Sequence, residues 1–436
     1  MRTPGKPVRI VSVATERLRD RRHLWHVWSP LAADLTRTLL VKGAGAYVTD
    51  VDGREFLDAS SLNLTCGYAA PDITRAIAAQ ATLLPGYDLS VASHDLAGAL
   101  AEAVARLMPT ALSRTLLTNS GTEACEAALL IAAMHAANVG RPRTRVITFT
   151  AGYHGSTLLS RSLSGLPHLA HPFVTPLPVS RVDLPLTPRQ MRAPEALEPL
   201  ISAFRDALLR EPDLPPLAVL VEPLLNVGGG VVLPPAFLGE LRRLCDEHGA
   251  LLVLDEVSTG YGRTGRMFGF EHDDVTPDIV VSSKGLAAGY APVAAVSVRE
   301  SIYATFDRDP VLGGLRFGQT TSGHAIACAA ALATLELIER EKLVERAAHL
   351  GERFLAALRG LVGTGGVIDV RGLGLFVSLE FEDQDAAIRT VTSAAEHGLL
   401  LRRQGGVVMA VPPLTLDDAD ATTLLDRLRQ SVEGTA

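Results

Sequence analysis

Short apolar runs bounded by polar residues or glycine recur through the middle of the chain. Such runs are typical of parallel strands that are buried on both faces. Five of them are residues 115–117, 145–149, 217–221, 251–254 and 279–282. Between about residues 61 and 310 these strands alternate with predicted helices, as a parallel sheet requires. The pattern therefore predicts an α/β fold.

The flanking regions show other patterns. Alternating residues around Asp52-Gly53-Arg54 predict a strand, a turn and a second strand between residues 45 and 59. Residues 343–361 have a helical pattern, and residues 367–370 and 375–381 are predicted strands at the edge of a smaller α+β domain. The proline-rich stretch 167–188 is predicted to be the least regular part.

Polar or aromatic residues follow each of the five predicted strands. The carboxyl ends of parallel strands meet at one edge of a sheet, where α/β proteins bind ligands. One lysine after a strand is usually solvated, and an Asp-Glu pair can equally be a helix cap or a metal-ligand pair. The repetition over five strands favours a site, and its polar segments are Asn119-Ser120, Tyr153-His154, Glu222, Asp255-Glu256 and Lys284.

A lysine and a carboxylate in one crevice can hold an aldehyde cofactor at both ends. Lys284 can form a Schiff base, and Asp255 can pair with a ring nitrogen that must stay protonated. This combination indicates a pyridoxal phosphate enzyme.

Ser120 and Glu123 have the spacing of a capping box at the start of a predicted helix over residues 124–137. The same helix start offers free N–H groups, and Gly121 lets an anion approach the backbone. Beside a lysine that can form a Schiff base, we interpret this segment as a phosphate site as well as a cap. No Gly-Lys-Ser or Gly-Lys-Thr sequence of a P-loop occurs in the chain.

Taken in order, these segments resemble the motifs of the class III aminotransferases, which are fold-type I pyridoxal phosphate enzymes. The resemblance extends from about residue 25 to 413. It rests on Asn119-Ser120-Gly121-Thr122-Glu123-Ala124, Gly152-Tyr153-His154-Gly155, Glu222-Pro223, Asp255-Glu256-Val257, Gly260-Tyr261-Gly262-Arg263-Thr264-Gly265, Ser283-Lys284-Gly285 and Gly318-Gln319-Thr320-Thr321-Ser322-Gly323-His324. One departure is Cys125, where the family often has Asn or Val.

The resemblance implies an α/β, fold-type I architecture with a large domain and a smaller α+β domain. The large domain, residues 61–325, would contain a mostly parallel seven-stranded sheet and bind the cofactor. Residues 1–60 would form an N-terminal arm and part of the small domain, and residues 326–436 would form the rest of it.

The resemblance also implies roles for individual residues. Lys284 and Asp255 would be catalytic, with Lys284 forming the Schiff base and then moving the proton. The remaining cofactor-binding residues would be Ser120, Gly121 and Thr122 at the phosphate, Tyr153 and Val257 at the two ring faces, and His154, Glu222 and Thr320. Because the family's threonine reaches the neighbouring subunit's cofactor, Thr320 implies a homodimer with shared sites.

Specificity is expected at the mouth of the site. Trp25 and Trp28 resemble an aromatic segment at the family's substrate entrance, although both could equally be packing or interface residues. Arg402 matches an arginine that often pairs with a substrate carboxylate. Arg403 is the alternative, and a solvated arginine is the simpler interpretation.

The predicted function is transfer of an amino group from an amine or amino acid donor to a ketone or aldehyde acceptor through a pyridoxamine phosphate form. Related decarboxylase, racemase or aminomutase chemistry remains an alternative, as does a homologue that binds the cofactor without turnover. Retention of both Lys284 and Asp255 argues against the last.

Composition agrees with a globular enzyme: 436 residues are 47% hydrophobic and 20% charged, with a net charge of −7. Scattered arginines indicate no nucleic-acid partner. The cysteines have no zinc or CxxC spacing, so we expect no metal and a reducing cytoplasm. Neither a secretory signal nor an apolar stretch near the ~20 residues of a membrane span is apparent.

Overall fold

The computed structural model describes residues 13–32, 37–172 and 177–434, which form two seven-stranded sheets with helices packed around them. The helices are α1 (Val13–His23), α2 (Pro71–Leu83), α3 (Asp95–Leu107), α4 (Gly121–Asn138), α5 (Leu158–Leu163), α6 (Leu197–Leu209), α7 (Phe237–His248), α8 (Glu300–Tyr303), α9 (Ala325–Arg340), α10 (Leu343–Arg359), α11 (Gln384–Glu396) and α12 (Asp418–Glu433). The strands are β1 (Leu40–Ala44), β2 (Tyr47–Asp50), β3 (Glu55–Ala59), β4 (Arg114–Thr118), β5 (Arg145–Phe149), β6 (Val179–Val182), β7 (Pro216–Val221), β8 (Leu224–Leu225), β9 (Val231–Val232), β10 (Leu251–Asp255), β11 (Ile279–Ser282), β12 (Ala294–Val298), β13 (Val367–Leu373), β14 (Phe376–Phe381), β15 (Leu399–Gln404) and β16 (Val407–Ala410).

The central sheet has the strand order β4-β12-β11-β10-β7-β5-β6. Strand β12 runs antiparallel to both of its neighbours, and the other pairs are parallel. The five apolar runs of the sequence are β4, β5, β7, β10 and β11, so their prediction is confirmed. The mostly parallel seven-stranded sheet is confirmed with them.

Burial on both faces explains why these strands are apolar throughout. Within β10, Val253 belongs to the core that contains the buried face of α4, whereas Leu252 and Leu254 belong to the core with α6 and α7. On that second face Phe149 contacts Phe204, with 5.0 Å between ring centroids. Alternate side chains of each strand therefore enter different cores. Because both faces must be apolar, the sequence of these strands does not alternate between apolar and polar residues.

The second sheet has the order β1-β2-β3-β15-β16-β14-β13 and combines residues 40–59 with residues 367–410. Its pairs are antiparallel except for β3 and β15. The predicted strand–turn–strand and the two predicted strands after residue 366 are present as β2–β3 and β13–β14. The smaller α+β layer is thus built from both ends of the chain, while domain limits at residues 60 and 325 stay a prediction.

The proline-rich stretch 167–188 is more ordered than its composition indicated. It contains a 3₁₀ turn at Pro167–Leu169 and strand β6, which pairs with β5 at the edge of the central sheet. Residues 173–176 of this stretch lie outside the described residues. Pairing with a neighbouring strand, rather than local propensity, makes β6 a strand.

Hydrogen bonds and an ion pair join the second sheet to other parts of the chain. Arg371 on β13 is fully buried and donates to the carbonyls of Gly229 and Gly230. Asp369 accepts two hydrogen bonds of 2.8 Å from Arg192, which belongs to the central-sheet part of the chain. Among the described helices none is both long and apolar enough to cross a membrane.

Candidate active site

A cavity of about 680 Å³ opens at the carboxyl ends of the parallel strands. It brings together ten of the residues that the sequence analysis selected. These are Trp28, Ser120, Gly121, Thr122, Tyr153, His154, Asp255, Val257, Lys284 and Arg402. Side chains separated by more than a hundred positions therefore meet at one edge of the sheet, as the strand pattern indicated.

Asp255, at the end of β10, is 3% exposed and accepts hydrogen bonds on both carboxylate oxygens. Its Oδ2 lies 2.8 Å from Nδ1 of His154 and 3.4 Å from Sγ of Cys125. Its Oδ1 accepts from the backbone N–H of Val257 at 3.0 Å. On the other side of the imidazole, Nε2 lies 3.1 Å from the hydroxyl of Thr148. The carboxylate is therefore fixed in orientation from three directions.

Cys125, His154 and Asp255 also offer three possible metal ligands within 4.8 Å of one another. A metal site would require the thiolate form of the cysteine. Burial, reinforced by Asp255, raises the pKa of the Cys125 thiol well above its ordinary value. The thiol donates a hydrogen bond to Asp255, so these three side chains form a hydrogen-bonded cluster.

Lys284 follows β11, and its backbone is in the left-handed region with φ of 36°. For a residue with a side chain this conformation costs on the order of 1–3 kcal/mol, and such strain often occurs at functional sites. The Nζ of Lys284 donates to the hydroxyl of Ser258 at 2.9 Å. Burial lowers the pKa of Lys284 to about 8, although Asp255 and Glu222 act in the opposite direction.

Glu222, at the end of β7, lies beside the cavity and is 2% exposed. Its Oε1 accepts from the backbone N–H of Tyr153 at 3.0 Å, and its Oε2 accepts from the backbone N–H of Asn226 at 3.3 Å. Burial raises the pKa of Glu222 to about 7. The structure thus places Glu222 where it holds two cavity-lining segments in position.

The first turn of α4 forms another wall of the cavity. Ser120 is the N-cap, and its hydroxyl accepts from the N–H of Glu123 at 3.3 Å. The Glu123 carboxylate accepts from the N–H of Asn119 rather than from that of Ser120. A Cβ at Gly121 would lie 2.9 Å from a methyl group of Val257, so a larger residue cannot fit without movement. Backbone N–H groups of this turn are available to an anion.

The mouth of the cavity is aromatic on one side. Trp28 packs edge-on against Tyr153 and His168, with ring centroids 6.3 and 5.8 Å apart. Arg402 and Gln404, two residues apart on β15, also line the cavity. Arg403 instead donates to the carbonyl of Gly405 at 2.8 Å.

Besides Glu222, two predicted site residues do not line the cavity of this chain. Trp25 is 85% exposed and lies outside the cavity. Thr320 is exposed on the segment that leads to α9. The roles predicted for Trp25 and Thr320 therefore stay predictions.

The sequence analysis missed several residues of the cavity, among them Asn226, Ser258, His168 and Gln404. A signal for two of them was present, because Asn226 and Ser258 come only a few residues after the ends of β7 and β10. Nothing in the sequence pattern distinguishes His168 or Gln404.

Comparisons with known proteins agree with the geometry of the site. The family model for class III aminotransferases matches residues 30–432. The chain is 37% identical to the taurine–pyruvate aminotransferase of Rhodobacter capsulatus, covering 83% of this chain and 81% of the relative. It is 35% identical to the 5-aminovalerate aminotransferase of Pseudomonas putida, covering 87% and 89%.

Solved structures are similar over nearly the whole chain. An amine transaminase from an uncultivated Pseudomonas species, solved in its pyridoxal phosphate-bound form, has a TM-score of 0.88 at 31% identity and covers 95% of this chain and 99% of its own. A thermostable omega transaminase mutant from Pseudomonas jessenii has a TM-score of 0.91 at 29% identity, covering 98% and 99%. This chain belongs to the class III aminotransferase family, whose members depend on pyridoxal phosphate.

Proposed function

We propose that this aminotransferase works in the 680 Å³ cavity, with Lys284 as the residue that bonds to pyridoxal phosphate and moves the proton. One observation carries the proposal: an amine, a carboxylate and a helix N-terminus meet in the same cavity. These are Lys284, Asp255 and the first turn of α4. The decarboxylase, racemase and aminomutase alternatives gain no support from the relatives, which are named as aminotransferases.

The residues present fit the cofactor. When bound, pyridoxal phosphate supplies an aldehyde that bonds to amines and a protonated ring that takes up the electrons of a broken bond. The first turn of α4, with Ser120, Gly121 and Thr122, suits the phosphate because its N–H groups and dipole favour an anion. Tyr153 and Val257 both line the cavity and would contact the two faces of the ring.

Asp255 would hold the ring nitrogen in its protonated form. A hydrogen-bonded carboxylate in a buried site stabilises a positive partner more strongly than a solvated one does. His154 and the backbone of Val257 keep the Asp255 oxygens in position, so no reorganisation is needed when the partner binds. We therefore assign His154 to the cofactor site through its contact with Asp255.

Lys284 would be the base of the reaction. A free lysine is almost fully protonated near neutral pH, but a pKa of about 8 leaves a useful fraction of neutral amine. That amine can take the proton from the carbon that bears the donor's amino group and would return it on the cofactor side of the nitrogen. Glu222 would act by holding the Tyr153 segment in place.

For the substrate, we propose a donor that carries an anionic group at a distance from its amine. Arg402 lines the cavity. Among the described lining residues Asp255 is the only one with a carboxylate, so no other acidic side chain of the cavity could neutralise Arg402. The related enzymes named for taurine and 5-aminovalerate act on molecules of this type. Trp28 would border the substrate entrance, and Trp25 would contribute from the same segment.

We also propose a homodimer in which Thr320 reaches the cofactor phosphate of the partner. The segment around Thr320 packs on residues 84–94, where His94 contacts the carbonyl of Gly323 at 2.7 Å. Several large apolar side chains near this junction are exposed, as an interface requires. They are Leu83, Tyr87, Val91, Val311 and Leu312. The buried, unpaired cysteines fit a reducing compartment, and we propose the cytoplasm.

The proposal is tested by half-reactions with stoichiometric enzyme and a panel of amine donors, without acceptor. We expect one equivalent of donor to become its carbonyl product, with the amino group retained on the protein until pyruvate or 2-oxoglutarate is added. Lys284→Ala should abolish this conversion, whereas Lys342→Ala, at the exposed N-cap position of α10, should not affect it. Release of carbon dioxide, interconversion of enantiomers without carbonyl product, or an active Lys284→Ala variant would contradict the proposal.

A further inference from the structure

Three neighbouring strands of the central sheet direct polar side chains to one point beside the cavity. The parallel neighbours β7, β10 and β11 are followed by Asn226, Ser258 and Lys284, respectively. Ser258 Oγ accepts from Nζ of Lys284 at 2.9 Å and from Nδ2 of Asn226 at 3.0 Å. Ser258 is 8% exposed and Asn226 is 3% exposed, so water competes little for these bonds.

The hydroxyl of Ser258 is well suited to hold an amine. A hydroxyl oxygen has two acceptor positions, and here one is filled by Asn226 and the other by Lys284. Because Asn226 donates, the Ser258 hydrogen is directed away from both nitrogen atoms. Asn226 is itself anchored, since its backbone N–H donates to Glu222. Ser258 is therefore fixed as an acceptor towards Lys284.

We propose that Ser258, oriented by Asn226, is the resting partner of the Lys284 amine whenever that amine is not bonded to the cofactor or substrate. Resting on the proposed function, this assignment gives Ser258 direct contact with the reacting nitrogen atom. Holding Nζ at one place returns the amine to the same position in each half-reaction. Precise placement of a reacting group can account for large rate effects.

Other charged groups also act on the Lys284 amine, and they define what Ser258 adds. Asp255 and Glu222 favour the protonated amine, and Arg402 disfavours it. Cys125, which donates a hydrogen bond to Asp255, acts on the amine in the same direction as Asp255 and Glu222. These groups remain in a Ser258 variant, so a change in the behaviour of Lys284 can be attributed to the hydroxyl.

The test measures the pKa of Lys284 by trace labelling with acetic anhydride, which reacts with the neutral amine only. The full-length protein is labelled with pyridoxamine phosphate bound, which leaves the lysine free, and again without cofactor. Mass spectrometry then gives the rate at Lys284 against pH. Lys42 and Lys342, which are exposed, are references within the same molecule.

Ser258→Ala and Ser258→Cys remove the good acceptor, and Ser258→Thr retains a hydroxyl. Because a hydrogen bond to a charged group favours the charged form, we expect the pKa of Lys284 to fall by about one unit in the first two variants. The threonine variant should remain close to the parent. Unchanged values in Ser258→Ala and Ser258→Cys, or an equal fall in Ser258→Thr, would overturn the inference.

The outcome is separable from that of the proposed function. A shifted Lys284 pKa without amino transfer to any donor would retain the role of Ser258 and refute the proposed activity. Amino transfer with an unshifted pKa would do the reverse. In an active enzyme we further expect Ser258→Ala to lower kcat about tenfold or more while leaving the donor KM within about twofold. A rise in KM alone would overturn the inference.

Discussion

At the scale of single residues, the buried ionisable groups of the site differ in the hydrogen-bond partners that offset their burial. Asp255 is surrounded by hydrogen-bond donors, and Lys284 has a hydroxyl acceptor. Glu222 accepts two backbone hydrogen bonds but has no cationic partner in direct contact among the described residues. Burial therefore raises the pKa of Glu222 and lowers the pKa of Lys284. Both shifts favour the neutral form of the side chain.

Asp255→Asn tests the carboxylate. An amide cannot stabilise a protonated ring nitrogen as a carboxylate does, and a hydrogen bond to a charged group contributes roughly 1.5–3 kcal/mol. We expect kcat to fall by about a hundredfold or more and the cofactor to dissociate more readily, with the fold retained. Asp426→Asn on the exposed face of α12 is the control. A loss of less than about tenfold would assign the ring nitrogen to another residue.

Glu222→Gln tests the effect of burial on stability. With a folded-state pKa of about 7, above the ordinary glutamate value of 4.5, the folded protein binds this proton more tightly than the unfolded chain does. The stabilising contribution is therefore complete below about pH 4.5 and is lost as pH rises through about 7. The Gln variant does not titrate, so its Tm relative to the parent should increase over this range, by an equivalent of at most about 3 kcal/mol.

The measurement is thermal unfolding of both proteins at a series of pH values without added cofactor. Glu352→Gln, which alters an exposed glutamate on α10, is the matched control and should give a constant difference. If the Tm difference for Glu222→Gln is equally constant between pH 4.5 and 7, burial does not raise the pKa of Glu222.

At the scale of elements, strand geometry decides which side chains face the cavity. Successive residues of a strand point to opposite sides. On β15, Arg402 and Gln404 line the cavity, while Arg403 is bonded to Gly405. This alternation selects between two adjacent arginines that the sequence alone left open. Strand β15 pairs in parallel with β3, so Arg402 belongs to the second sheet.

Arg402→Leu should therefore affect substrates according to their charge. Loss of a charge-assisted contact of about 1.5–3 kcal/mol predicts a KM for an ω-amino acid that is higher by roughly ten- to a hundredfold. A donor amine without an acidic group should be nearly unaffected. Arg403→Leu, one residue away on the same strand, is the control. Equal effects of both changes, or equal effects on both donor types, would exclude Arg402 as the anion-binding residue.

At the scale of the whole molecule, one chain accounts for most of the site but leaves Thr320 outside it. The segment that bears Thr320 is exposed, and large apolar side chains on residues 83–91 and 311–312 are exposed as well. A surface of this kind is typical of contacts between subunits. The proposed dimer would bury these side chains and supply the missing threonine.

Mixing two inactive variants tests the shared site. Lys284→Ala chains combined with chains that carry Thr320→Glu should recover some activity, because one site of a mixed dimer inherits both defects and the other inherits neither. The acidic replacement opposes the phosphate, whereas the neutral Thr320→Ser variant should stay active. The two variants carry different affinity tags. After subunit exchange, mixed dimers are isolated by means of both tags, and their activity is measured. A fully active monomer, or mixed dimers without activity, would contradict the sharing of sites.

The sequence by itself determined five of the seven strands of the central sheet and the positions where chemistry follows them. Residues 145–149 and 279–282 are strands because both of their faces must be apolar, a property visible in a single run of residues. Ser120 as N-cap was equally local, since the cap requires only its own helix. Lys284 and Asp255 could be selected because parallel strands end at a common edge.

The tertiary structure decided the contacts that give those residues their properties. His154 and Cys125 lie 101 and 130 positions from Asp255, and no periodicity indicates that all three converge. The Ser258 contact with Lys284, the choice of Arg402 over Arg403 and the raised pKa of Glu222 also depend on packing. Local patterns record which face of an element is apolar. Burial, and the partner that a polar group finds when buried, exist only after distant segments have packed together.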